Sequence, residues 1–571
     1  QDLNGTPNSG AYPSAGSAGY NTNPPSVTTP PTATPTFQYT VSTALAAGTY
    51  LVGTSEPLPF NTLQNAIAAY NVACLGGNIT FLLKDVNYNV PSMITIFNPE
   101  ASNTKRLTIK PNVATNVTIT GAAPTNEALF KLNGADYITF DGSNVVSGTT
   151  RNLTISNTGA GNTIWIASNG ISNGATNNTI KNCIITGVTG TSFTGVVQSG
   201  GVTPGSIAQI ANTNNTYTNN QIYGGQYGLS LVGPVGNENG NVVSDNLIGS
   251  TVPAQYLSFR GMFFAQQSNV TILNNEVTGV YSTAASTTNM ASGIYIGGTM
   301  SGGRIDKNRI HNLKNTNTGG WAIHGISLRS SSANTALYII NNFIWDVKTY
   351  GWTPSTTPIY ENSGIQIGTG GGYRMYYNTI NMGTNPDVPG VSTALYVTTT
   401  VGGNLIRNNI FANTQTTGTR YGVYVNGTIN PNIFSIINHN NYYSTGALGF
   451  VAGGARANIA SWRAGTGQDV NSLDVNPLFV SPTDLHLSNA SPLNHTGIHI
   501  NPVCGSCATD IDGDMRATGT GSTAPDIGAD EFTPPNCGPG PVLAGGTASI
   551  NITEICVSGD VTLSATGYAF G

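Results

Sequence analysis

Charge is what this chain has least of: Asp, Glu, Lys and Arg supply 8% of its 571 residues, against about a quarter in ordinary globular domains. The 20 basic and 25 acidic side chains leave a formal net charge of −5. That balance gives no basic footprint for neutralising phosphates, which excludes nucleic acid from the expected partners. Long apolar runs are missing too. No stretch approaches the roughly 18 residues that a membrane span needs, and no charged-then-apolar leader opens the chain. A first residue of Gln1 rather than Met is expected of a processed, exported chain. Cysteine is scarce, six in all, too few for a disulfide scaffold although the even number permits pairing. Cys504 and Cys507 form C-x-x-C in a turn-rich stretch, without the second such pair or the His pair of a zinc site, so a local disulfide is expected. Cys183 falls on an apolar strand and reads as a small buried residue.

Strong helix formers are few as well; Asn, Thr, Ser and Gly dominate, Gly alone with 71 residues. Gly and Asn tolerate the left-handed backbone of tight turns, while Thr, Ile, Val and Tyr pack on a pleated surface. The composition predicts an all-β protein of many short strands. From about Asn152 to Tyr443 one phrase returns. Asn182, Asn220, Asn246, Asn275, Asn308, Asn342, Asn378, Asn408 and Asn440 are each followed two residues on by Ile or Val, degraded to Tyr in the last, at steps of 26 to 38 residues. That is a repeat architecture. A second phrase keeps the same beat, as in Gly228-Leu-Ser-Leu231, Gly293-Ile-Tyr-Ile296 and Gly364-Ile-Gln-Ile367, so each repeat carries at least two alternating strands. Coils of a parallel β-solenoid stack about 4.8 Å apart, placing a repeated residue above its copies. Asn at such a corner tolerates the left-handed bend and bonds the neighbouring coil. The asparagines are therefore assigned to scaffold, and function to the loops that lengthen at Thr186 to Asn219 and Gly279 to Ser292.

Residues 1–44 are rich in Pro, Ser, Thr and Gly and bury too little to offset ordering entropy, as a leader or linker would. Beyond them, Asn61 or Thr62 caps a helix over about 60–72 whose Leu63, Ala66, Ile67 and Tyr70 share one face, a natural cover for the open end of a strand stack. The far end reads Asn476-Pro-Leu-Phe479, Asp484-Leu-His-Leu487, Thr509-Asp-Ile-Asp-Gly-Asp-Met-Arg516 and Pro525-Asp-Ile-Gly-Ala-Asp-Glu-Phe532.

Cap, coils and this closing segment (about 474–533) together resemble the right-handed parallel β-helix domains of large exported surface proteins of the Bacteroidota, over roughly residues 45–533. After Thr533-Pro-Pro, residues 534–571 resemble the first strands of the immunoglobulin-like repeats of giant bacterial adhesins. Within them Cys537 and Cys556 are in place to pair, and 38 residues are too few for a sandwich of about 100; the natural chain is expected to continue. The resemblance implies a right-handed parallel β-helix with an N-terminal capping helix and a C-terminal partial Ig-like β-sandwich. It further implies a non-catalytic adhesin module of a gliding bacterium, exported across the outer membrane by the type 9 pathway to the cell surface. Its partners would be surface polysaccharide or another glycan and the envelope's export proteins, and no cofactor is implied.

Three residue sets compete for chemistry. Arg304, Lys307, Arg309 and His311 alternate along and past one strand with Asp306. Parallel β-helix polysaccharide lyases and pectinases draw a base and cations from such sets, although a solvated polar face is the simpler reading. An inverting hydrolase would need facing carboxylates, and Asp245, Asp306 and Asp346 read as solitary. Trp345, Tyr350, Trp352, Tyr373 and Tyr376, with Trp321, Tyr360 and Tyr377, are expected to face out or lie in loops, where aromatic rings stack on sugars. Asp510, Asp512 and Asp514 suggest calcium, but the Gly stands fourth rather than sixth and no Glu closes the loop, so a network around Arg516 closing the bottom coil is preferred. A structural docking module, binding no glycan, remains the third class.

Overall fold

The computed structural model describes residues 44–112, 115–286, 289–352, 362–427, 431–500 and 504–532, with two short strands at Thr547–Ile550 and Leu563–Thr566. Residues 1–43, Tyr360, Cys537 and Cys556 lie outside them.

The repeats wind into a right-handed parallel β-helix. Each coil contributes one strand to a first sheet of 13 strands, one to a second of 12 and one to a third of 14. Pairing between coils is parallel, as in Val242–Ser244 beside Thr271–Leu273, and the third sheet ends in one antiparallel pair, Ala447–Val451 with Gly454–Arg456. One row of side chains enters the core from each sheet. In the third sheet Leu229, Met262, Ile294, Ile326, Ile365, Leu395 and Val423 follow one another at 0% exposure. The glycines that open this phrase are required by close stacking: a Cβ on Gly293 would lie 2.6 Å from Ile310 Cγ2 and 2.7 Å from the Gly325 carbonyl.

The turn from first to second sheet takes two residues. The first is left-handed: Asn182, Asn219, Asp245, Asn274, Lys307, Asn341, Tyr377, Asn408 and His439 have φ between 51° and 59°. The second points inward and forms the ladder. Asn220, Asn246, Asn275, Asn308, Asn342, Asn378, Asn409 and Asn440 each accept, through Oδ1, the backbone N–H of the ladder residue one coil earlier, at 2.9–3.2 Å. Each Nδ2 donates to a backbone carbonyl of the coil before, as Asn308 does to Ile272 O at 3.0 Å. The ladder is therefore the expected one with two corrections. The left-handed bend belongs to the preceding residue, and Asn182 and Asn408 occupy that outer position. Cys183, fully buried and unpaired, starts the inner row, and Ser472 ends it by accepting from Asn440 N.

Helix α1 (Leu63–Val72) takes the place of the second- and third-sheet strands in the first coil. Thr62 is its N-cap, accepting from Asn65 N at 3.1 Å, and Leu63, Ala66, Ile67 and Tyr70 are buried against the core. Helix α2 (Ile459–Thr466) closes the other end, with Trp462 at 0% exposure beside Tyr442.

Residues 484–532 do not close the bottom coil. They run back along the outside of the solenoid as a strap, because the second sheet's outer face turns apolar in its later coils. Phe343 packs with the strap's Leu485, Ile511 and Ala529, and Ile410 and Ala412 pack with Leu487, Leu493 and Ile527.

Candidate functional site

The left-handed corner residues place their side chains outside the coil, making a second row that runs the length of the solenoid. The strap fastens to its later half. Lys307 Nζ donates to Thr509 Oγ1 (2.9 Å), Asn341 Nδ2 to Thr509 O (3.1 Å), Tyr377 OH to Ile498 O (2.9 Å) and Asn408 Nδ2 to Ile498 O (2.6 Å). In the earlier half the row bonds to itself: Asn219 to Asn182, Asn182 to Asp141 and Asn274 to Asp245, each at 2.7 Å.

Where the strap ends, a groove opens. A cavity of about 380 Å³ is lined by Asp245, Asn274, Arg304, Asp306, Lys307 and, from the strap, Asp512. A neighbouring one of about 310 Å³ shares Asp245 and Asn274 and extends to Arg151, Glu276 and Arg309. Both signs of charge alternate through this space. Carboxylates read as solitary in the sequence, Asp245 and Asp306, thus line one cavity with Asp512, while Asp346 does not join them. Stacking at the corner does this, since residues some 30 apart in the chain become neighbours.

Of the four predicted basic residues, Arg304, Lys307 and Arg309 line this space and His311 stands against Glu276 at its edge. Arg309 Nη2 lies 2.7 Å from Asp512 Oδ1. His311 Nε2 lies 3.0 Å from Glu276 Oε1, and its ring stacks on Trp345 at 4.3 Å and 8°. The hydrogen bond to His311 holds the Glu276 carboxyl below its usual range. His486, which the sequence reading passed over, bridges Asp484 and Asp512. Burial alone would lower its pKa; the bonds to both carboxylates outweigh that and raise it. Only the alternation in Asp484-Leu-His-Leu487, which turns His486 away from buried Leu485 and Leu487, could have signalled it.

Three expected sites do not survive in their expected form. Tyr373 is a core residue at 0% exposure, its hydroxyl donating to Thr369 O. Tyr376 lies beneath the loop that the Cys504–Cys507 disulfide closes, and Tyr377 beneath Arg516; no sugar reaches any of the three. Of the other aromatics, Trp345 and Tyr350 are half-buried and Trp352 is 43% exposed, and of the three Trp345 stands against the basic set, through its stack on His311. Asp510 is fully buried and its Oδ1 accepts from the amides of Asp512, Gly513 and Asp514, so it serves the turn and not a cation. A different trio, His486, Asp512 and Asp530, brings ligand atoms within 4.8 Å of one another, yet Arg309, Asp484 and Leu487 N already occupy them.

Fold and site define a parallel β-helix protein with a strapped polar corner groove. Among solved structures it is similar to pectate lyase Pel9A (13% identity, TM-score 0.39, 86% of this chain and 98% of that one). It is also similar to PfbA, a surface adhesin of Streptococcus pneumoniae (13%, 0.31, 70% and 90%), and to the A-module of the Azotobacter vinelandii mannuronan C-5 epimerase AlgE6 (12%, 0.26, 72% and 93%). At those values neither activity nor ligand carries over. No family model and no curated protein matches the chain. Among the described residues no helix is long and apolar enough to cross a membrane.

Proposed function

We propose that this chain is a non-catalytic module of a cell-surface adhesin and that it holds polysaccharide along the corner groove. The observation that carries the reading is the fastening of the groove's side chains: Lys307 to Thr509, Arg309 to Asp512, and His311 between Glu276 and Trp345. A lyase base must give up its proton and reach the substrate, whereas fixed donors and acceptors of both signs suit the hydroxyls of a bound sugar chain. Asp245 and Asp512 likewise accept from Asn274 and Arg309.

The wider setting rests on the sequence. The closing motifs and the Ig-like start at 534–571 support the N-terminal part of a giant Bacteroidota surface protein, exported by the type 9 pathway and serving gliding, with export proteins among its partners. Many weak contacts along a repeated surface would add up by avidity.

The test is retention of the full chain on immobilised neutral and acidic polysaccharides, with ultraviolet detection of unsaturated product in the presence of calcium. Retention without product, weakened about tenfold in Arg309→Ala, is the expected result. Product that disappears in Arg309→Ala would establish a lyase instead, and no retention on any polysaccharide would leave a docking module.

A further inference from the structure

Between the second and third sheets, two coils before the groove, the loop Gly187–Ser192 and the segment around Pro204 enclose a separate cavity of about 270 Å³. None of its lining side chains is charged. Phe193 and Pro204 form an apolar wall, and Thr125, Thr191, Gln226 and Asn162 supply polar groups. Phe193 is 37% exposed and packs against Tyr227 at 5.4 Å, the two rings tilted by 56°.

Asn162 is the informative residue. It is 1% exposed, its Nδ2 donates to Glu127 O at 3.0 Å, and its Oδ1 accepts no hydrogen bond. A buried acceptor left unpaired is costly, and Asn162 is one of the residues that line the cavity. The walls are built rather than incidental. Ser192 Oγ donates to Gly159 O (2.7 Å) and accepts from Val188 N (2.9 Å), Phe193 N donates to Gly161 O (3.0 Å), and Gln226 N donates to Ser192 O (3.0 Å).

We propose that this cavity binds one neutral sugar ring, a chain end or branch, with its apolar face on Phe193 and a hydroxyl donating to Asn162 Oδ1. Aromatic faces take the C–H side of a pyranose while amides and hydroxyls take its oxygens. The volume falls just below the range of ordinary ligand sites, which suits a single ring and not an oligosaccharide; the uncharged lining selects against uronates. The site is distinct from the corner groove, so each stands or falls alone.

Saturation-transfer NMR of the full chain with glucose, galactose, mannose and N-acetylglucosamine tests it. Transfer to at least one hexose at millimolar concentration is expected, weakened at least tenfold in Phe193→Ala. Gln226→Ala, which leaves the Phe193–Tyr227 packing intact, is expected to weaken it in the same direction and decides the matter if Phe193→Ala does not fold. No transfer to any hexose, or transfer indifferent to both substitutions, would overturn the proposal, and loss in Arg309→Ala would move the sugar to the corner groove.

Discussion

The guanidinium of Arg516 lies 4.0 Å above the ring of Tyr377, so a strap residue is seated on a corner residue 139 positions earlier in the chain. It also donates to Asn341 Oδ1 (3.0 Å) and Gly528 O (2.9 Å) and pairs with Glu531 (3.1 Å), and its side chain is 1% exposed. Arg516→Ala leaves the Glu531 carboxylate, 11% exposed, without its cation, a loss of about 3 kcal/mol. Limited proteolysis should then cut within residues 484–532 while the coils stay intact; an uncut strap would contradict this arrangement.

The ladder makes a graded prediction. Asn308 Oδ1 accepts from Asn275 N, and its Nδ2 reaches Ile272 O. Asn308→Ala leaves that buried amide and carbonyl unpaired and should cost about 2–4 kcal/mol in chemical denaturation. Asn274→Ala, on the outer row, removes an exposed side-chain bond to Asp245 that water can replace and should cost less than half as much.

Two buried carboxyls give the fold a pH dependence. Desolvation pushes Glu238 from 4.5 to about 7, against the hydrogen bonds from Gln267, Gln198 and Asn212 that oppose it. Burial, then the Glu531 charge, pushes Asp526 from 3.8 to about 7. Both are raised, so the folded state binds more protons. The destabilisation is absent below the unfolded pKa, grows as pH rises to about 7 and is constant above. The stability difference between Glu238→Gln and the parent protein should shift by about 3 kcal/mol in the variant's favour from pH 4.5 to 8. A difference that stays flat across that range would mean that Glu238 titrates alike in the folded and unfolded chain.

At the C-terminal cap, Trp462 Nε1 and Tyr442 OH both donate to buried Asp469 Oδ2, at 2.7 and 2.5 Å. Trp462→Phe keeps most of the ring and loses one bond, and is expected to cost about 1–3 kcal/mol, read as a lower midpoint in a urea titration. An unchanged midpoint would mean that α2 does not close the core.

The strap was partly legible. The residue that follows each ladder asparagine faces outward on the second sheet, and it runs Gln221, Leu247, Glu276, Arg309, then Phe343, Thr379 and Ile410. The large apolar Phe343 and Ile410 at these outward positions mark where a cover lies. It was hidden because the sequence phrase ran through Asn182 and Asn408, one residue out of step with the ladder at its two ends, and because a period-two alternation says which side a residue faces but not what lies against it.

Periodicity and composition by themselves determined the all-β solenoid and its inward rows, which depend on contacts between a residue and its own copies one coil away, and a local apolar face determined the capping helix, with Thr62 among its two candidate caps. Which aromatics are exposed, that Asp245, Asp306 and Asp512 share a cavity, and that Arg309 is held by a residue 203 positions distant were decided only by the tertiary structure. Those relations arise where a non-repeating segment folds back over a repeating one, and no period in the chain records the register of that contact.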